Sequence, residues 1–202
     1  MSNKKLTSAG FQIEGIEASA MAAFDAGIPH HQSMFSDSQS GEDIYFSGVN
    51  NCLQSAEAMA GYPSSRDGQV VAAANLSTDT NGAITGSADN LQTAVDAIAL
   101  ELSYGNRVVV GVNNISNTNQ PNADYKDYAT NHFVTVYRIE QDSDGNVTAY
   151  FRDPGTRYEN SALGSMTINN NSNTLQGNSP YHTSDIYQLT TVRKNLGGWT
   201  HE

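Results

Sequence analysis

The chain has 202 residues, a formal net charge of −11, 38% hydrophobic residues and only 15% charged residues. Nucleic acids and anionic membrane surfaces bind clustered Lys and Arg, so this charge balance argues against both as partners. No apolar run approaches the roughly 20 residues that a membrane span requires, and the single cysteine, Cys52, excludes an internal disulfide.

The N-terminal part of the chain predicts a loose arm followed by a helix. Residues 1–12 form the arm, and its basic start at Lys4-Lys5 has no apolar stretch behind it, so it is not a Sec signal. We therefore expect synthesis in the cytoplasm without a signal peptide, with secretion by a dedicated machine as an open route. Apolar residues at helical spacing predict an amphipathic helix over 13–26 that ends at Gly27.

A polar loop is predicted over residues 28–47, and it carries the pair His30-His31. Adjacent histidines on an irregular loop are poor joint ligands, and no cysteine or third histidine lies near them in the sequence. We therefore favour a solvated loop over a metal site. No metal and no other cofactor is expected from the rest of the chain.

The next stretch predicts a helix with Cys52 at its start. Four residues follow helical spacing, namely Leu53, Ala56, Glu57 and Ala60. Asn50 or Asn51 is a suitable N-cap, and Gly61 ends the helix. Cys52 then lies in the first turn, where the macrodipole and the free backbone N–H groups favour a thiolate.

The remainder of the chain predicts one more helix and a set of strands. Residues 64–86 are rich in Gly, Asn and Thr and predict a loop. A helix follows from the cap at Asp89-Asn90 to Gly105, and the apolar run 107–112 predicts a buried strand. Further strands are predicted over 131–139, 147–156, 166–168 and 185–192, with 169–180 as a loop.

The order of these elements indicates the fold class. Helices followed by strands are typical of α+β proteins, and no linker divides the chain. We therefore expect a single domain over residues 1–202, in which the helix that carries Cys52 and the other helices pack on an antiparallel sheet of about five strands.

A predicted hairpin over residues 131–156 brings a His and an Asp together. If the connection runs over residues 140–145, His132 lies directly opposite Asp153, and facing residues share one face of a sheet. A tighter turn would slide Asp153 towards Val136. The contact between His132 and Asp153 therefore depends on the register of the hairpin.

Cys52, His132 and Asp153 together fit the chemistry of a cysteine hydrolase. A thiol attacks as the thiolate and needs a nearby base or cation, which an imidazole supplies. The imidazole later protonates the leaving amine, and a carboxylate fixes its orientation. Taken singly, the three residues also fit a buried cysteine, a structural histidine and a turn-forming aspartate. The combination favours catalysis.

The chain order Cys, His, Asp and three short motifs resemble the papain-like superfamily of cysteine hydrolases. This superfamily includes the C39-like peptidases and the NlpC/P60 cell-wall amidases. The motifs are a glycine-led strand over 104–112, a His-Phe-Val strand over 131–136 and an Asp-Pro-Gly end over 151–156. The resemblance covers roughly residues 45–156 and implies a papain-like fold with Cys52, His132 and Asp153 as the catalytic residues.

The chain departs from the superfamily pattern at three positions. Arg107 stands where that pattern usually has Pro, Leu53 follows the cysteine where many members have Gly or Ser, and Phe46 stands where an oxyanion-hole Gln is usual. The substitutes for that Gln are Gln39, Tyr45 and Asn51. The backbone N–H of Cys52 is a further donor, since amides at a helix N-terminus suit an oxyanion.

The resemblance also implies a substrate and a setting. Small proteins of this kind resemble secreted antibacterial effectors that cut the peptides of peptidoglycan. The expected partners are therefore a peptide or cell-wall peptide substrate and an immunity or inhibitor protein. The alternatives are a cysteine protease that acts on a protein, an acyltransferase with the same triad, and a non-catalytic binding protein with a papain-like shell.

Overall fold

The computed structural model describes residues 22–32, 51–65, 70–73, 75–78, 84–115, 129–156, 159–180 and 182–196. Over these ranges there are two α-helices, α1 (Asn51–Ala60) and α2 (Ala88–Ser103), and a short 3-10 helix at Glu159–Ser161. The strands of the same ranges are β1 (Ala22–Asp25), β2 (Val71–Ala72), β3 (Asn75–Thr78), β4 (Ile84–Thr85), β5 (Val108–Asn114), β6 (His132–Gln141), β7 (Val147–Arg152), β8 (Leu163–Asn169), β9 (Thr174–Asn178) and β10 (Ile186–Val192).

Six strands close into an antiparallel barrel in the order β5-β6-β7-β8-β9-β10, and β10 pairs back with β5. Strand β1 extends the sheet from β6, and β2 extends it from β10. Strands cover 41% of the described residues and helices 22%. The expected α+β, papain-like arrangement, with helices packed on an open sheet of about five strands, is therefore wrong, because the sheet closes on itself.

Three segments account for most of this difference. Residues 22–25, placed by the sequence in a helix over 13–26, form β1, whereas 13–21 and the arm 1–12 lie outside the described residues. The predicted loop over 169–180 contains β9, and the one over 64–86 contains β2, β3 and β4. These strands are short or polar, so their own sequence carries little periodicity, and pairing with neighbours decides their conformation.

Helix α1 forms where the sequence predicted a helix and ends as expected at Gly61. This glycine has a φ of +89°, the left-handed conformation that ends many helices. Its N–H donates to the carbonyl of Glu57 at 2.9 Å. Cys52 is the second residue of α1, so the cysteine lies in the first turn.

The buried face of α1 packs on β5 and β6. Cys52, Ala56 and Ala60 recur every fourth residue, and their cluster includes Phe133 of β6. The hydroxyl of Thr135 donates to the carbonyl of Ala56 at 2.8 Å. This hydrogen bond and the apolar cluster hold α1 against β6, the strand that begins at His132. They therefore also hold Cys52, at the start of α1, relative to the start of β6.

The opposite face of β5 and β6 joins the main core with α2. That core includes Val110 and Val134 from the strands and Leu91 and Ile98 from the helix. Because helices cover both faces, β5 is buried along almost its whole length, which confirms the predicted buried strand. Helix α2 begins two to three residues earlier than expected, with Ser87 as its N-cap in place of Asp89 or Asn90. In the described part of the chain, neither helix is long and apolar enough to cross a membrane.

Candidate active site

Three barrel strands bring polar side chains to one end of the barrel. His132 is the first residue of β6, Asp153 directly follows β7, and Tyr187 is the second residue of β10. Strand β5 lies between two of them, because Val112 pairs with His132 and Asn114 pairs with Tyr187. The three strand ends therefore lie at one end of the barrel, and Cys52 of α1 packs in a cluster with Phe133, the residue that follows His132.

His132 and Asp153 are in direct contact. The distance from Nε2 of His132 to Oδ1 of Asp153 is 2.7 Å, and the side chains are 12% and 0% exposed. The contact that the sequence predicted is therefore present. A buried imidazole–carboxylate pair of this kind fixes the tautomer and the orientation of the imidazole.

The register that predicted this contact is wrong. That register would have placed Thr135 opposite Tyr150, but Thr135 pairs with Arg152, and the pairing shifts between Val136 and Arg138. The contact forms nevertheless, because Asp153 lies beyond the last paired residue of β7. The backbone N–H of Asp153 donates to the carbonyl of Ala162 at 2.8 Å, next to the last β7–β8 pair, and the turn at 154–155 follows directly.

The carboxylate of Asp153 accepts three hydrogen bonds. Oδ1 accepts from His132 and, at 2.6 Å, from the backbone N–H of Gly155, and Oδ2 accepts from the hydroxyl of Tyr187 at 2.8 Å. Burial alone raises the pKa of Asp153, but the charge of His132 and these hydrogen bonds lower it below its usual range. Asp153 is therefore held as a carboxylate.

The imidazole of His132 joins Asp153 to Cys52. Burial alone lowers the pKa of His132, but the charge and hydrogen bond of Asp153, together with a hydrogen bond to the Cys52 side chain, raise it to about 10. Since Asp153 occupies Nε2, Nδ1 is the ring nitrogen left for the cysteine. The ring is thus placed to take the thiol proton on one side and to be held by a carboxylate on the other.

Cys52 lies at the start of a helix, a position that suits a cysteine nucleophile. Its side chain is buried at 9% exposure, and backbone N–H groups in the first turn of a helix have no partner within the helix. A thiolate with an imidazolium beside it is the reactive form of a cysteine nucleophile. The arrangement can therefore attack a carbonyl carbon and return a proton to the leaving group.

Tyr187 belongs to this cluster and was missed from the sequence. Besides its hydrogen bond to Asp153, its ring lies 5.5 Å from that of His132 between centroids, with the planes tilted by 48°. The hydroxyl of Ser179 donates to the Tyr187 hydroxyl at 3.1 Å. The sequence offered one signal: Tyr187 lies in the predicted strand 185–192, and the hydroxyl of a buried tyrosine usually forms a hydrogen bond.

The sequence predicted three candidate side chains for the oxyanion hole. Gln39 and Tyr45 lie outside the described residues, and of Asn51 the structure describes only its place as the first residue of α1. The backbone N–H of Cys52, in the same turn, is placed at a helix N-terminus as expected.

The histidine pair of the predicted polar loop lies near the Asp153 turn. His30 is exposed, whereas His31 is half-buried and its Nε2 lies 2.9 Å from the carbonyl oxygen of Thr156. Among the residues that the structure describes, no group of three or more His, Cys, Asp or Glu side chains is arranged to hold a metal ion.

No family model, curated protein or solved structure matches this chain.

Proposed function

We propose that this chain is a cysteine hydrolase that cleaves amide bonds, with Cys52 as nucleophile, His132 as general base and then acid, and Asp153 as the group that orients His132. One observation carries the proposal: a single imidazole has Asp153 at 2.7 Å from its Nε2 and is also hydrogen-bonded to the Cys52 side chain. The residue order and short motifs that resemble papain-like cysteine hydrolases support the proposed chemistry, whereas the closed barrel does not have the expected papain-like arrangement.

The reaction follows from the two ring nitrogens. His132 takes the thiol proton, and the Cys52 sulfur attacks the carbonyl carbon of the amide to give a tetrahedral oxyanion. The imidazolium then donates its proton to the departing nitrogen, so that the C–N bond breaks and a thioester remains. Water, deprotonated by His132, attacks the thioester, releases the carboxylic acid and restores the thiol. Asp153 holds the imidazole in one orientation throughout.

The substrate class is proposed from the resemblance of the motifs to cell-wall amidases. We propose a peptide of peptidoglycan as substrate and a secreted antibacterial effector as the setting. The polar, acidic composition of the chain favours a substrate other than nucleic acid.

The test incubates purified sacculi with the full chain and with Cys52→Ala, and follows the muropeptides by mass spectrometry. We expect new stem-peptide fragments with the natural chain and at least about 1000-fold slower release with the variant, because the nucleophile is lost. Denatured casein, incubated in parallel, serves as a protein substrate, and a primary amine is added as an acyl acceptor.

The outcomes separate the alternatives. Cleavage of casein without change in the muropeptides would replace the cell-wall substrate by a protein. Transfer to the amine in place of hydrolysis would make the protein an acyltransferase. If none of these reactions depends on Cys52, the enzyme proposal is contradicted and a binding protein is favoured.

A further inference from the structure

The hydrogen bonds around Asp153 continue beyond the three residues of the proposed triad. Oδ1 of Asp153 serves His132, whereas Oδ2 accepts the hydroxyl of Tyr187 at 2.8 Å. The Tyr187 hydroxyl in turn accepts from the hydroxyl of Ser179 at 3.1 Å, and Ser179 accepts from the backbone N–H of His182 at 3.2 Å. Each hydroxyl in this chain therefore has its donor direction fixed towards Asp153.

The ring of Tyr187 is held as firmly as its hydroxyl. Tyr187 is buried at 4% exposure in β10, and its ring packs against His132 and, at 6.0 Å between centroids, against Phe151. Tyr187 thus touches both partners of the imidazole–carboxylate pair, the ring of one and the oxygen of the other. Through these two contacts Tyr187 can act on the reaction by way of Asp153 and His132.

We propose that Tyr187 is a positioning residue for the triad, with Ser179 behind it. By holding Oδ2, Tyr187 fixes the rotation of the Asp153 carboxylate so that Oδ1 is aimed at Nε2 of His132, and it helps to keep the buried carboxylate ionised. This inference rests on the proposed function, since positioning has a consequence only if Cys52 and His132 react.

The test is Tyr187→Phe, with Tyr150→Phe as matched control. The variant keeps the ring that packs on His132 and Phe151 and removes only the hydroxyl. Tyr150 likewise donates to a carboxylate, Oε1 of Glu140 at 2.5 Å, so the control loses the same kind of hydrogen bond elsewhere on the barrel. Two quantities are measured on each full-length chain: the rate of Cys52 alkylation by iodoacetamide at about pH 6, and the titration of the Asp153 carboxyl by ¹³C NMR.

For Tyr187→Phe we expect alkylation about tenfold slower and an Asp153 titration roughly one pH unit higher, since a hydrogen bond to a buried carboxylate is lost. Tyr150→Phe should leave both quantities unchanged. Ser179→Ala should shift them in the same direction as Tyr187→Phe but by less. A purely structural role of the hydroxyl would lower the melting temperature without moving the Asp153 titration.

Two failures are distinguishable. If the natural chain alkylates rapidly and Tyr187→Phe matches it in both rate and titration, the positioning role is overturned while the proposed function stands. If the natural chain alkylates no faster than a free thiol, the proposed function fails and the positioning role fails with it.

Discussion

Strand β6 carries two clusters that contain the same three kinds of group. At its start, His132, Asp153 and Tyr187 combine a cation, a carboxylate and a tyrosine hydroxyl, with distances of 2.7 and 2.8 Å. Near its other end, Arg138 lies 2.6 Å from Glu140, which also accepts from the hydroxyl of Tyr150 at 2.5 Å. Hydrogen-bond geometry alone does not distinguish the candidate site from an ordinary surface network.

Burial separates the two clusters. Asp153 is fully buried, whereas the side chains of Arg138 and Glu140 are 37% and 23% exposed. Hydrogen bonds from Tyr150 and Arg138 lower the pKa of Glu140, but water screens the pair, and such surface pairs contribute little to stability. In the buried cluster the imidazole of His132 has a third neighbour, Cys52, whose thiol can give its proton to the imidazole.

The largest expected difference between the clusters is in thiol reactivity. Asp153→Asn should slow alkylation of Cys52 by about 100-fold, since the imidazole loses the charge that fixes its tautomer. Glu140→Gln, the same change in the exposed cluster, should alter the rate less than about twofold, because it is screened and lies at the other end of β6. Equal effects of the two substitutions would contradict the assignment of Asp153 to the site.

Removal of the carboxylate should also destabilise the fold more in the buried cluster than in the exposed cluster. Asp153→Ala leaves buried donors on His132, Gly155 and Tyr187 without an acceptor and should cost about 3 kcal/mol in the free energy of unfolding. Glu140→Ala should cost less than about 1 kcal/mol. Urea denaturation of both variants at neutral pH measures the two values, and a smaller cost for Asp153→Ala than for Glu140→Ala would be inconsistent with the buried pair.

The difference in unfolding free energy between the natural chain and Asp153→Ala should depend on pH. The raised pKa of His132 stabilises the fold fully below about pH 6.5 and ceases to do so as the pH rises towards 10. The lowered pKa of Asp153 adds stability above its usual value of 3.8, and this is lost as the pH falls below that value. The difference between the natural chain and Asp153→Ala should thus be largest between about pH 4 and 6.5 and shrink on either side. A gap that stays constant from neutral pH to pH 10 would show that His132 is not held as a cation.

The site was more predictable from the sequence than the fold around it. The cap and periodicity of α1 are local signals, so they placed Cys52 correctly in a first helical turn. The contact of His132 with Asp153 was also anticipated, but from a wrong register, because the strands pair as far as Gln141 and Val147 and the connection is 142–146 instead of 140–145. The contact survived this error because Asp153 lies just beyond the last paired residue of β7.

Barrel closure depends on segments with weak local signals. Strand β9, Thr174–Asn178, is largely polar, yet it bridges β8 and β10 and thereby closes the sheet. Strand β1 is too short for helical and strand periods to be separated. Tyr187 was overlooked for a related reason, since its role depends on which strand lies beside β10, and that is a property of the closed barrel.

The titration of the His132 ring by ¹⁵N NMR, in the natural chain and in Cys52→Ala, tests the proposed triad most directly. If Cys52, His132 and Asp153 act as one unit, the ring should remain an imidazolium at about pH 8 and titrate near 10, and loss of the cysteine should lower that midpoint. A midpoint near 6.5 that does not change in Cys52→Ala would show that the imidazole is coupled to neither partner, and would contradict the proposed triad.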